Sequence, residues 1–490
     1  MVLTISILYN CLGVFMMDPK RELFKWGPID ARPVYLDYFI RNFHSFNQKY
    51  PSGWPETLMF IKEDRCICVL DYLILKDNGE FFFKKYILNE KERDSAFIIW
   101  FDFAKQLENF ANEVSDRRLS ELNNEDLKEL FFKFNWVYNQ FWFYGFIPEL
   151  SNWGGEKYLK EKIQKINNEH FTIIYERLCA PLDISFFQKE ELELLKIKLI
   201  ENKEEFEKEL ETHQKKYYWL SNNYEDATIL GVSFFRERLN RISIKDAEIK
   251  IIELEAFRRK TLDEKEKIMN EYNLNGDILE IGNSLSYSIW WQDLRKKYIF
   301  IANHYIKLFL MEFSKRYNID FLEICHYTVD EIISLLKDNK KINTRERFSG
   351  FLFHFKEDGI IDYYTKEKAR SLILPYIEKK FDKNAKEITG IAVSRGTVVG
   401  FARILHSPKE ISKMKEGDIL IASFTSPDYI TAMRKASGIV TDEGGITCHA
   451  AIVSRELGIP CIVGTKVATK LFKDGEKIEV DCLNGTIRKV

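Results

Sequence analysis

Glycine is nearly missing from the first four-fifths of this sequence: of 23 glycines, 11 lie from Gly390 onward. Long helices exclude glycine, whereas short strands and tight turns use it, so the shortage marks a change of fold class near residue 390. Charge of one sign is missing as well. With 73 Lys and Arg against 75 Asp and Glu, the net charge is −2, and the strongly basic face that nonspecific nucleic-acid binding needs is not supplied. Metal-type C-x2-C pairs are absent among the eight cysteines. Only Cys66 and Cys68 stand close together, in "DRCICVLDYLIL", where strand-like alternation gives them a structural role. The scattered remainder reads as reduced, cytoplasmic thiols.

Long hydrophobic runs are also lacking. The uncharged "MVLTISILYNCLGVFMM", residues 1–17, has no basic n-region and no small-x-small cleavage site, and is short for a membrane span. Because Met16 and Met17 directly precede the charged "DPKREL", residues 1–17 read as a mis-assigned start or a disordered leader. No other segment looks membrane-spanning.

What is present is a globular balance, 45% hydrophobic and 30% charged over 490 residues, enough for two to four domains. Residues 18–100 read as a mixed α/β element, in which "ETLMFIKEDRCICVLDYLILKDNGEFFFKKYIL" gives two or three strands with a turn at Asp77-Asn78-Gly79. Residues 101–381 read as a helical domain, because apolar residues recur at three- and four-residue spacing and charge runs mark solvated faces. Gly154-Gly155 reads as a loop between two of these helices. "KKFDKNAKEITG" loses that periodicity, placing a linker at 382–387. From 388 to 490, short strands and turns alternate with two short helices, a compact α/β domain. The expected class is therefore multidomain α+β, with a small β element in a mostly helical N-terminal region.

"TDEGGITCHAAIVSREL", Thr441 to Leu457, places one histidine where a glycine turn becomes a helix. The first N–H groups of a helix lack internal partners and sit at its positive dipole end, so they favour an anion. Gly444 and Gly445 permit close backbone approach or positive φ, and Thr447 offers a hydroxyl. A neutral imidazole at His449 is a competent nucleophile towards a phosphoryl group, and transfer through it divides a hard step into two. On residue logic alone, a capping or packed histidine is the equal alternative. Arg455, six positions on, supplies charge or makes an outward salt bridge. Cys448 sits where a helix terminus can lower a thiol pKa, which leaves a nucleophilic cysteine as a minor reading.

"GDILIASFTSPDYITAMRKASGIVTDEGGITCHAAIVSRELGIPCIVGT", with "GIAVSRGTVVGFARI" before it and "DGEKIEVDCLNGTIRKV" after it, resembles the mobile phosphohistidine domain of the phosphoenolpyruvate-utilising enzymes. That family includes phosphoenolpyruvate synthase, pyruvate phosphate dikinase, rifampicin phosphotransferase and glutamine kinase. The resemblance covers Ile388 to Val490 and implies a swivelling β/α/β domain with no metal of its own. It implies that His449 is the phosphorylated residue, that Gly444, Gly445, Thr447 and Cys448 form its supporting loop, and that Thr425-Ser426-Pro427-Asp428 forms the T-x-P-D turn. It further implies ATP and Mg2+ at an ATP-grasp site. No glycine-rich phosphate loop stands before Gly390, so that site is expected on a separate protein.

"DLRKKYIFIANHYIKLFLMEFSKRYNIDFLEICHYTVDEIISLL", followed by "INTRERF", resembles the helical connector that precedes the histidine domain in several of these enzymes. Thr328 to Glu331 reads independently as a capping box. Arg295, Tyr298, Arg345 and Arg347 are candidates to face an acceptor or an incoming phosphate, against ordinary structural roles. His213 and Trp219 in "ETHQKKYYWLSNNY" either line a pocket or pack. Three functions compete: a cytoplasmic phosphotransferase chain loaded in trans and delivering to a small-molecule acceptor, a binding module that keeps the histidine domain without turnover, and a complete kinase with a divergent nucleotide site. Neither nucleic acid nor membrane is expected as a partner.

Overall fold

The computed structural model describes residues 17–18, 21–116, 119–164, 170–377, 385–425, 429–445 and 448–490. The first sheet is antiparallel, in the order β1 (Leu23–Asp30), β3 (Arg65–Asp71), β2 (Thr57–Lys62), β4 (Phe351–Phe355), β5 (Ile361–Thr365). β2 and β3 turn at Glu63 and Asp64, both with positive φ, as a two-residue hairpin of primed type requires. Asp77-Asn78-Gly79, expected as the turn, instead lies inside a helix. The helices ahead of it are α1 (Pro33–Ile40) and α2 (Asn42–Lys49), and the helix itself is α3 (Tyr72–Phe82), capped by the Asp71 carboxylate at the N–H of Ile74.

Helices α4 (Glu90–Asp116), α5 (Asn124–Gln164), α6 (Phe171–Leu178), the five helices α7–α11 between Phe186 and Glu271, and α12 (Gly276–Tyr317) form the helical bulk. Gly154 and Gly155 are interior to α5 rather than in a loop. A Cβ on Gly154 would stand 1.8 Å from the backbone N of Glu80, and one on Gly79 would stand 2.2 Å from Leu150 O. These glycines let α3 and α5 cross backbone against backbone, a contact any side chain would block. Trp100, Trp142 and Trp291 are fully buried between α4, α5 and α12, with the Trp100 and Trp291 rings 5.6 Å apart. α13 (Phe321–Cys325) and α14 (Val329–Asp338) follow, and Thr328 and Glu331 make the expected capping box. The segment 101–381 is not wholly helical, because β4 and β5 lie within it and complete the N-terminal sheet across Leu58 to His354. α15 (Lys366–Ile377) packs on that sheet.

Residues 382–384 of the expected linker lie outside the described residues. Glu387 is already sheet, opening β6 (Glu387–Thr389) opposite Arg488. The C-terminal sheet has eight strands in the order β6, β13 (Thr486–Lys489), β12 (Lys477–Asp481), β8 (Thr397–Leu405), β9 (Ile419–Ala422), β10 (Gly438–Thr441), β11 (Cys461–Val463), β7 (Ile391–Ser394). β8 to β11 run parallel, and the buried runs of β9, β10 and β11 are what a sheet covered on both faces requires. α16 (Ile430–Lys435) and α17 (His449–Leu457) cover one face, while α18 (Ala468–Leu471) and Phe472 cover the other. Leu405, Ala422 and Thr441 stand in register at one edge of the sheet, so the loops after β8, β9 and β10 emerge side by side.

Candidate functional site: a histidine at a helix N-terminus

The site is built on that edge. β10 ends at Thr441, whose hydroxyl donates to Glu443 O at 2.7 Å and tightens the turn. The next residue, Asp442, is buried and accepts from Thr469 N at 3.1 Å and Thr465 Oγ1 at 3.3 Å, which pins the loop to the rest of the domain. Burial pushes its carboxyl pKa up. Gly444 has φ +119, and a Cβ there would stand 2.8 Å from the Cys448 sulfur, so glycine is required. Gly445 differs, since a Cβ would meet nothing within 4 Å and the space beside it is open. Thr447, with Ser426, Pro427 and Asp428 of the T-x-P-D turn, lies outside the described residues.

Cys448 is the N-cap of α17, and its carbonyl accepts from Ile452 N at 3.0 Å. Its thiol pKa is raised, chiefly by burial, which outweighs the backbone N–H groups of the helix start. That corrects the nucleophilic-cysteine reading: the thiolate is disfavoured here.

His449 is the first residue of α17. Its Nδ1 lies 2.9 Å from Thr425 Oγ1, in the loop after β9. In the neutral ring this contact is met either by Nδ1–H donating to the hydroxyl, which leaves the lone pair on Nε2, or by the hydroxyl donating to Nδ1. The ring pKa is pushed down to about 3, first by burial and then by the positive charge of Lys296 on α12. At neutral pH the imidazole is therefore uncharged, the form that nucleophilic attack requires.

Arg455 is committed elsewhere. Its Nε donates to Val393 O at 2.9 Å and its Nη2 pairs with Glu176 Oε1 of α6 at 2.6 Å, so of the two readings the salt bridge holds. Further contacts between the domains include Lys409 Nζ to Glu225 at 2.7 Å, Ser407 Oγ to Asp30 at 3.3 Å, and Arg65 to His406 O.

The four acceptor candidates do not converge. Arg295 is buried, donating to Gly145 O at 2.7 Å and pairing with Glu149. Tyr298 is buried against Trp100, with centroids 5.8 Å apart. Arg345 pairs with Glu323 at 2.8 Å, and Arg347 forks onto Glu331 at 2.7 Å while donating to His326 O at 2.6 Å. Each thus has partners within the N-terminal region. His213 is likewise buried and bonded to Glu190 at 2.9 Å, and Trp219 donates to Lys216 O at 2.9 Å. Lys296 and Glu176 were missed. The signal for Lys296 was helical period: Trp291, Arg295, Tyr298 and Ala302 share the core stripe of α12, which leaves the neighbouring Lys296 facing outward.

Fold and site thus define an α/β unit in which a histidine opens a helix beside the edge of four parallel strands. Residues 414–485 match the family described as PEP-utilising enzyme, mobile domain, so the resemblance is shown for this part of the chain. Similar proteins include the probable phosphoenolpyruvate synthase of Archaeoglobus fulgidus, 55% identical over 100 residues, covering 20% of this chain and 13% of that protein. The phosphoenolpyruvate synthase of Pyrococcus furiosus is 52% identical over 102 residues, covering 21% of this chain and 12% of that protein. The probable phosphoenolpyruvate synthase of Pyrococcus horikoshii is 50% identical over 166 residues, covering 33% of this chain and 20% of its own. The match spans a fifth or less of these relatives' length. An NMR structure of Enzyme I covers 75% of this chain at 14% identity with a TM-score of 0.18. Among the described residues, no helix is long and apolar enough to cross a membrane, and no group of three His, Cys, Asp or Glu side chains gathers as a metal cage would.

Proposed function

We propose that this chain is the histidine-carrying part of a phosphotransferase, taking a phosphoryl group onto Nε2 of His449 and passing it to a small-molecule acceptor bound on the helical region. The observation that supports this most is the state of the ring: uncharged, fixed through Nδ1 by Thr425, and placed at the N-terminus of α17. Nε2 attacks phosphorus with its lone pair, and the resulting anion is favoured by the positive dipole end of the helix.

The donor in this reading is ATP on a separate ATP-grasp protein, where Mg2+ would offset phosphate charge. The overall pattern is ATP, acceptor and water giving AMP, phosphate and phosphorylated acceptor. The relatives' name makes phosphoenolpyruvate the second donor to test. The compartment is the cytoplasm, in keeping with free thiols at the described cysteines.

The test incubates purified chain with β- or γ-labelled ATP, or with labelled phosphoenolpyruvate, alone and with an ATP-grasp partner. Acid-labile label on the His449 peptide only with the partner is expected, and His449→Ala abolishes it. Label without the partner favours a complete kinase, and no label in any arm favours a binding module. Label that persists in His449→Ala would move the carrier role to another residue.

A further inference from the structure

A cavity of about 580 Å³ opens between α4, α11 (Phe257–Glu271), α12 and the loop after α6. That is room for one small molecule. Among the described residues, no side chain lining it is hydrogen-bonded or ion-paired to the C-terminal domain, so it stands apart from the histidine site.

One stripe of α12 forms its wall: Glu280, Asn283, Ser284 and Tyr287 recur at three- and four-residue spacing, and Trp290 follows. The Tyr287 and Trp290 rings lie 5.4 Å apart, backed by Phe97 at 5.8 and 5.5 Å, and both keep part of their surface open. Ser284 is only 4% exposed, yet its hydroxyl makes no hydrogen bond among the described residues. Its neighbours on the helix are satisfied, Ser286 by Ala180 O at 2.8 Å and Ser288 by Pro148 O at 3.3 Å. A buried hydroxyl left unpaired costs free energy, and the cavity is where Ser284 can find a partner. Asn283 is oriented from behind. Its Oδ1 accepts from the buried Lys265 Nζ at 3.1 Å, which leaves the amide NH2 to donate.

Charge narrows the ligand. Arg93 pairs with Glu90 and Arg258 with Asp183, each at 2.9 Å, while Glu280 has no ion-pair partner among the described residues. The lining therefore holds one more carboxylate than cation and disfavours a phosphate or carboxylate group. A hydrocarbon ring would suit Trp290 and Tyr287 but leave Ser284 and Asn283 unmet. A flat heterocycle with acceptor atoms on its edge satisfies both.

We propose that this cavity is a binding site for an uncharged nucleobase or nucleoside, its ring against Trp290 and Tyr287 and its edge accepting from Asn283 and Ser284. The site goes beyond the phosphoryl-carrying role and does not depend on it.

Equilibrium dialysis of the full chain against labelled adenosine, AMP and ATP, without any loading partner, tests this. Saturable adenosine binding is expected, with AMP held about tenfold more weakly. Ser284→Ala and Trp290→Leu each weaken adenosine binding about threefold to tenfold, the scale of one hydrogen bond or one aromatic contact. Trp136→Leu, which removes an exposed indole on α5, leaves it unchanged. Should Trp290→Leu lose its circular dichroism signature, Ser284→Ala, which breaks no hydrogen bond within the protein, makes the distinction alone. Absent adenosine binding, AMP or ATP bound as tightly as adenosine or more so, or binding unchanged in a folded Ser284 or Trp290 variant would overturn the proposal.

Discussion

An ordinary imidazole, with a pKa near 6.5, is about nine-tenths neutral at pH 7.5 and about one-tenth neutral at pH 5.5. His449, pushed down to about 3 by burial and Lys296, stays essentially neutral throughout that range. Reaction of the ring with diethyl pyrocarbonate needs the neutral form, and N-acetylhistidine in the same tube cancels the reagent's own pH dependence. Followed by mass spectrometry of the His449 peptide, the rate ratio of His449 to the reference should rise about tenfold from pH 7.5 to 5.5. A ratio that stays flat would mean the ring titrates as in water, and would refute both its desolvation and the docked arrangement that causes it. The same burial carries a stability consequence of fixed sign. Below 6.5 the unfolded chain takes up a proton that folded His449 refuses until about 3, so this group's contribution to stability is lost as pH falls through that window.

Thr425→Val removes the hydroxyl that holds Nδ1, and phosphohistidine formation should slow about tenfold, the scale of one lost hydrogen bond, while Thr425→Ser restores it. Gly444→Ala, forced to φ +119 with its Cβ against the Cys448 sulfur, should lower urea-unfolding stability by about 1–3 kcal/mol. Gly445→Ala, with open space around it, should leave stability nearly unchanged and slow labelling instead. Arg295→Ala leaves Glu149 without its cation in the core, and a loss of about 3 kcal/mol in denaturant titration is expected with loading of His449 unaffected.

The C-terminal domain was the legible part, because there the local signals agree. Glycine marks turns, apolar runs mark buried parallel strands, and the histidine falls where strand gives way to helix. The N-terminal region was less legible because its organising contacts are remote or depend on close approach. β4 joins β2 from nearly three hundred residues away, and nothing in "FLFHF" announces that pairing. Asp77-Asn78-Gly79 is good hairpin chemistry, yet the chain needs Gly79 for the crossing with Gly154, and the actual turn falls on Glu63-Asp64, a pair with no turn signature. At the site, His449 and Thr425 were readable from the motif. Glu176 was not, since a surface acid carries no mark of the surface it will face, and helical period places Lys296 outward without saying that its charge acts on His449.

In the proposed carrier role the C-terminal domain has to leave each surface it visits, and the contacts between the domains are of the kind that permits it. Lys409 with Glu225, Ser407 with Asp30 and Arg455 with Glu176 are polar contacts, and an ion pair with one exposed partner, such as Lys409, contributes only about 0–1 kcal/mol. The Arg455 pair is weaker than its 2.6 Å separation implies. Burial pushes Glu176 up to about 7 in spite of Arg455 and Arg177 beside it, so the cost of desolvating the carboxylate cancels much of the attraction. If the docked domain supplies enough of that burial to outweigh the opposing charge of Arg455, closure takes up a proton, and docking should tighten as pH falls through about 7 and loosen above it. Small-angle scattering of the full chain between pH 6 and 8 reads this as expansion with rising pH, abolished in Glu176→Gln. Compaction with rising pH would show instead that the ion pair, and not the burial of its acid, governs the balance.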